Sequence, residues 1–166
     1  MANTYTLIAS NTLSTSTATV TFSSIAATYT DLVIKASVRC DRSSPNYGDF
    51  SVRFNGSTTG FTQKNVFGDG SSTGSSTSTY TGIDSAFATA STFSNLEIYI
   101  PNYTSANNKS FSIDNVTENN ATEVRTVLSA GLWSNSAAIT SIEMLEINST
   151  NFVQYSTFYL YGIKNS

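Results

Sequence analysis

The chain has 166 residues, a formal net charge of −3 and only 11% charged residues, while Ser, Thr and Asn make up about 40% of it. This is the length of one domain, and its acidic balance argues against a nucleic-acid surface, which needs clustered Lys and Arg. The absence of histidine excludes Ser-His-Asp and Cys-His catalysis and His-ligated metals, and a single cysteine, Cys40, excludes an intrachain disulfide and a Cys-based zinc site.

Alternating apolar and polar residues, typical of strands with one buried face, fill the first third of the chain. The clearest example places Leu32 and Ile34 on one face and Lys35 on the other. The pair Asn55-Gly56 follows another such run and predicts a hairpin, because both residues tolerate a positive φ. The predicted strands here cover residues 5–10, 17–22, 31–39 and 50–55.

The middle of the chain contains a segment without hydrophobic residues. Residues 68–79 read Gly-Asp-Gly-Ser-Ser-Thr-Gly-Ser-Ser-Thr-Ser-Thr. This composition predicts a flexible Ser/Gly loop or the tip of a projecting hairpin.

Strand-like alternation returns in the second half. Val124 and Leu128 share one face of their run, and the last run places Tyr159 and Tyr161 on the face opposite to Leu160. The predicted strands here lie at residues 96–100, 111–113, 124–128, 142–145 and 157–163.

About nine or ten strands at spacings of ~8–12 residues, with no alternation of strands and helices, predict an all-β fold. We expect one domain over residues 1–166, an antiparallel, jelly-roll-like β-sandwich whose two sheets pack over a shared core. Residues 1–13 are a possible assembly arm. No apolar run approaches the ~18 residues of a membrane span, and the N-terminus lacks the features of a signal peptide.

The acidic residues do not form a recognisable site. Glu143 and Glu146 are three apart on a predicted strand, so they point to opposite faces, whereas a glycosidase needs two carboxylates facing one sugar. Asp41, Asn46 and Asp49 share a loop and offer oxygen ligands for calcium, but they lack EF-hand spacing and are interpreted as turn residues. We therefore predict no catalytic residue, no metal and no cofactor.

The aromatic residues carry the functional signal. Tyrosine supplies rigid contact area, and Ser, Asn and Gly adapt their hydrogen bonds, so a surface of this composition suits recognition. Tyr159 and Tyr161 indicate either an outer binding surface or the covered second side of a sheet, and a sugar-stacking platform is a third interpretation. The low charge leaves strand edges unprotected against pairing, which fits a protein that uses them in assembly.

Five segments resemble a known group of proteins. They read YTLIASNTL (5–13), TYTDLVIKASVR (28–39), VRFNGSTTGF (52–61), IYIPNY (98–103) and STFYLYGIK (156–164). Together they resemble small β-rich virion structural proteins of tailed bacteriophages, of the marine and cyanobacterial type. The resemblance spans nearly the whole chain, and its motifs are features of a fold and not a signature of chemistry.

The resemblance implies a non-enzymatic virion protein, made in the host cytoplasm, that forms a homo-oligomer and most simply a trimer. In the first placement it is a decoration or cement protein on the capsid exterior that bridges subunits of the major capsid protein. In the alternative, it is a tail-fibre or baseplate module with tail proteins or host surface carbohydrate as partners. The small size and the absence of a coiled coil favour decoration. Neither placement involves nucleic acid or membrane insertion.

We expect the interface to comprise strand edges, the N-terminal segment and the tyrosine face near the C-terminus. Its predicted residues are Tyr5, Leu7, Trp133, Tyr159 and Tyr161. Each copy makes modest contacts, and a trimer adds them through avidity. In the carbohydrate alternative, an aromatic residue such as Trp133 or Tyr47 stacks on a sugar ring.

Overall fold

The computed structural model describes residues 4–43, 47–84, 88–118 and 124–164, and within these ranges it contains strands and no helix. The prediction of an all-β fold with two antiparallel sheets is confirmed, with twelve strands where nine or ten were expected; the jelly-roll connectivity stays a prediction. The strands are β1 Tyr5–Thr12, β2 Thr19–Phe22, β3 Asp31–Val38, β4 Tyr47–Phe54, β5 Phe61–Gly68, β6 Thr73–Ser78, β7 Tyr80–Asp84, β8 Ser94–Ile100, β9 Lys109–Glu118, β10 Val124–Trp133, β11 Ile142–Glu146 and β12 Thr157–Ile163.

The strands form a large and a small sheet. Eight pair in the order β1-β12-β3-β8-β9-β10-β5-β6, and four pair in the order β2-β11-β4-β7. Aromatic rings connect the two sheets: Phe54 of β4 meets Phe111 of β9 edge-on at 5.4 Å and Trp133 of β10 at 5.6 Å between ring centroids. A single cluster of buried apolar residues includes side chains of both sheets, so the two pack over a common core.

The turn at Asn55-Gly56 has the predicted conformation, with φ values of 52° and 68°, but the predicted hairpin is wrong. The preceding strand, β4, belongs to the four-stranded sheet, and the following strand, β5, belongs to the eight-stranded sheet. The Asn55 side chain accepts hydrogen bonds from the backbone N–H groups of Thr140 (2.8 Å) and Ser141 (3.1 Å). These bonds tie the turn to a distant segment while the chain crosses between sheets.

Half of the Ser/Gly segment forms a strand and not a loop. Its residues 73–78 form β6, which pairs with β5, so the loop interpretation is wrong there and the hairpin interpretation fits. The Asp69 carboxylate closes the turn by accepting hydrogen bonds from the backbone N–H groups of Ser71 (2.9 Å) and Ser72 (2.6 Å). Backbone pairing and polar contacts, such as the one from Asn65 Nδ2 to Ser76 Oγ at 3.3 Å, hold β6 against β5, although β6 has no apolar side chain of its own.

On β10, the inward face differs from the one that the alternation suggested. Val124 and Leu128 are exposed, whereas Val127 and Trp133 are buried. Gly131 is inward too, and a Cβ there would lie 2.2 Å from the Phe111 ring, so the glycine makes room for the aromatic core. Apolar residues lie on both faces of β10, so the sequence pattern does not show which face is inward. Packing against the other sheet determines it.

Candidate functional site: the outer face of the eight-stranded sheet

The eight-stranded sheet has one face on the core and another that no described element covers. Strand β12 places Phe158 and Leu160 in the core and Tyr159 and Tyr161 on this outer face. The sequence predicts that the two pairs lie on opposite faces and leaves open whether the tyrosine face is covered. The two tyrosine rings stack with centroids 6.5 Å apart at 28°. They are half-buried, so part of each ring faces solvent.

Strand β1 brings Tyr5 and Leu7 to the same region. It pairs with β12 at the edge of the sheet, so residues 5–12 of the predicted arm are a strand, and their role in assembly stays a prediction. Tyr5 and Leu7 are 51% and 52% exposed, and the Tyr5 ring meets Tyr161 edge-on at 6.3 Å. We call Tyr5, Leu7, Tyr159 and Tyr161 the tyrosine patch.

Trp133 does not belong to this patch, and its prediction as an interface or sugar-stacking residue is wrong. It is 1% exposed and lies against Phe54, with stacked contact to Phe61 at 6.0 Å between centroids. It occupies the last inward position of β10, which the sequence alone did not reveal. The side chain of Tyr47, the other candidate for sugar stacking, lies outside the described residues.

Three charged side chains lie together at the centre of the outer face, and the sequence analysis did not predict this cluster. Lys35, Glu97 and Asp114 stand side by side on β3, β8 and β9, because the strand register pairs Lys35 with Glu97 and Glu97 with Asp114. The Lys35 Nζ and Glu97 Oε2 atoms are 2.7 Å apart, and this hydrogen bond raises the pKa of Lys35. The sequence pattern places each of these residues on the polar side of its strand. Only the strand register shows that the three are neighbours.

These residues border a shallow concavity of about 510 Å³, which we call the central groove. Small side chains, Ser37 and Thr157 among them, line it together with Asn95, and Tyr159 lines its end nearest the tyrosine patch. A second concavity of about 640 Å³ follows across the sheet. We call its exposed apolar residues, Val66 and Leu128, the apolar patch; they are 56% and 55% exposed.

The acidic residues weighed as calcium ligands make internal contacts instead. The Asp41 carboxylate accepts hydrogen bonds from the backbone and side chain of Asn151 at 2.7 and 2.9 Å, and Asp49 pairs with Arg42 at 3.1 Å. Asn46 lies outside the described residues. Within the described ranges, no group of three or more Cys, Asp or Glu side chains is placed to hold a metal ion.

Two titratable groups are buried near the other sheet. The Cys40 thiol is fully buried, which raises its pKa to about 12 and leaves it unreactive. Glu146 occupies an inward position at the end of β11, opposite in direction to Glu143, as predicted. Its burial raises its pKa to about 8; Oε2 accepts a hydrogen bond from Thr150 at 2.9 Å, whereas Oε1 has no partner among the described residues.

Comparison with protein-family models, curated proteins and solved structures gives no match. Among the residues that the structure describes, there is no helix of the length and apolar character needed to cross a bilayer.

Proposed function

We propose that the protein is a non-enzymatic structural component of a phage virion, and specifically a decoration protein on the capsid exterior that bridges major capsid protein subunits. The observation that carries this proposal is the edge strand β1. It has eight residues, none of them charged, and among the described strands it pairs with β12 alone. Tyr5 and Leu7 stand half-exposed on it beside Tyr161.

An open strand edge can accept a strand from another chain. Main-chain hydrogen bonds then supply affinity, and side chains on alternate positions supply specificity. Charged residues would oppose such pairing, and β1 has none. The exposed Tyr5 and Leu7 side chains add apolar area next to the new strand. In a trimer, three such contacts engage the shell together, and avidity makes modest contacts strong.

The copy number of the protein in purified virions tests the placement. Quantitative mass spectrometry should give a simple fraction of the copy number of the major capsid protein. A copy number equal to that of tail proteins would overturn decoration and favour the tail-fibre or baseplate alternative. Absence from the particles would overturn both placements.

The contact itself is tested with two matched double variants. Tyr5→Ala with Leu7→Ala should weaken binding to capsids assembled without the protein by about tenfold or more, measured by co-sedimentation. Val66→Ala with Leu128→Ala removes equally exposed apolar side chains at the opposite end of the same face and should leave binding within about twofold. Equal losses for the two variants would refute β1 as the contact.

A further inference from the structure

We propose that the central groove binds a neutral oligosaccharide, whose chain lies across the strands of the eight-stranded sheet. This site does not depend on the virion placement. It excludes Trp133 and Tyr47, two of the sequence-based sugar candidates, and it adds the polar residues of three neighbouring strands to Tyr159, which the sequence analysis considered as part of a sugar-stacking platform. It is built from Lys35, Asn95, Glu97, Asp114 and Tyr159, which four different strands bring to one face.

The groove offers polar groups that the protein leaves unused. Asp114 and Asn95 form no side-chain hydrogen bond or ion pair with another described residue, and the Tyr159 hydroxyl is likewise unengaged. Asn95 and Asp114 are diagonal neighbours, because Asn95 pairs with Val116 and Asp114 with Glu97. A carboxylate accepts several hydrogen bonds and an amide both donates and accepts, so together they match adjacent sugar hydroxyls.

The charge and the shape of the central groove favour one class of ligand over others. Lys35 is already paired with Glu97, and Asp114 adds a further negative charge, so the groove disfavours phosphate or sulfate groups. Its open, shallow form exposes a ligand to water, which suits a hydroxyl-rich chain more than an apolar molecule. The half-buried Tyr159 ring at one end supplies the apolar surface on which the C–H face of a sugar can rest.

The central groove and the second concavity together have room for several sugar units. Leu128, which lines the second concavity, pairs directly with Asp114 of the first, so the two concavities are neighbours on the same face. Seven strands, from β12 to β6, lie along this path, a distance of about 29 Å at ~4.8 Å per strand spacing. The path crosses the apolar patch, on which C–H faces of sugars can rest, and Ser75 and Thr77 supply hydroxyl groups at its far end.

The site is suited to binding and not to hydrolysis. Glu97 and Asp114 face the same groove, as a glycosidase pair would. However, Asp114 is exposed, and the Glu97 side chain is 45% exposed and bonded to Lys35. A general acid needs a desolvated setting that keeps it protonated, and neither carboxylate has one.

The test is calorimetric titration of the full chain with neutral hexasaccharides of glucose, xylose, mannose and N-acetylglucosamine, and with a sulfated heparin hexasaccharide. At least one neutral probe should bind with a Kd of about 1 mM or tighter. Asp114→Ala and Tyr159→Ala should each weaken that binding by about tenfold. Glu143→Ala, which removes a carboxylate from the other sheet, and Tyr155→Ala, which removes an exposed ring outside the groove, should leave it unchanged.

Three results would overturn the site: no neutral probe binding at millimolar concentration, tighter binding of the sulfated probe, or equal losses in the groove and control variants. Circular dichroism of each variant tests whether it is folded. A loss of binding in a folded variant is then assigned to the missing side chain in the groove. Capsid binding is measured separately, which keeps failure of this site distinct from failure of the decoration proposal.

Discussion

The two faces of the eight-stranded sheet use neighbouring residues for different purposes. On β10, Trp133 is 1% exposed in the core, while the adjacent Leu132 is 37% exposed on the outer face. On β12, Phe158 is buried against Phe152, while Tyr159 stacks beside Tyr161 at the surface. The inner face is held by ring contacts, whereas the outer face leaves side chains available. Core packing and surface exposure are therefore separated by one step along a strand.

The largest expected effect lies on the inner face. Trp133→Ala removes a ring that contacts Phe54 and Phe61, so the free energy of unfolding should fall by about 3–5 kcal/mol. Leu132→Ala removes an exposed side chain from the same strand and should lower it by less than about 1 kcal/mol. Urea titration of both variants measures the difference. Similar losses would show that the two faces are not divided in this way.

A second prediction extends the comparison to the small sheet, where β11 carries a carboxyl group on each side. The folded-state pKa of Glu146 is about 8, above its ordinary 4.5, so the folded protein holds more protons than the unfolded chain between these values. Its contribution to stability is thus present at low pH and is lost as the pH rises through about 8, with a slope of at most about 1.4 kcal/mol per pH unit.

Glu146→Gln should remove this dependence of the free energy of unfolding on pH, as urea unfolding between about pH 5 and pH 8.5 would measure. Glu143→Gln is the matched control, because Glu143 lies on the outer side of the same strand and pairs with Arg53 at 3.4 Å. The control should keep the slope of the parent protein. A slope that survives in Glu146→Gln would assign it to other groups.

The smallest effect on stability is expected in the tyrosine patch. The double variant Tyr159→Ala and Tyr161→Ala removes stacked, half-buried rings, so the free energy of unfolding should fall by about 1 kcal/mol and the fold should persist. Assembly should weaken, as native mass spectrometry of the oligomer or co-sedimentation with capsids would show. Phe158→Ala on the same strand should cost about 3–5 kcal/mol. An unfolded double variant would mean that these rings belong to the core.

Sequence reasoning succeeded where the apolar residues of a strand occupy every second position and therefore lie on one face. In β4, Phe50, Val52 and Phe54 are all inward, which is what the alternation over residues 50–55 predicts for a strand with one buried face. Strand β12 divides its Phe/Leu and Tyr residues in the same way. It failed where apolar residues occur on both faces of a strand, or where the inward positions are polar. The inward side chains of β5 include Gln63 and Asn65, which bond each other at 2.9 Å, and β6 has no apolar residue, so both strands were missed.

The sequence by itself determined the all-β class, most strands and the placement of Tyr159 and Tyr161 on the face opposite to Phe158 and Leu160, because these follow from the period of two along an extended chain. Only the tertiary structure decided which strands are neighbours. That order set Tyr5 and Leu7 beside Tyr161, brought Lys35, Glu97 and Asp114 together, and enclosed Trp133 between the sheets. Register and sheet packing join residues far apart in the chain, and local periodicity carries no information about such distances.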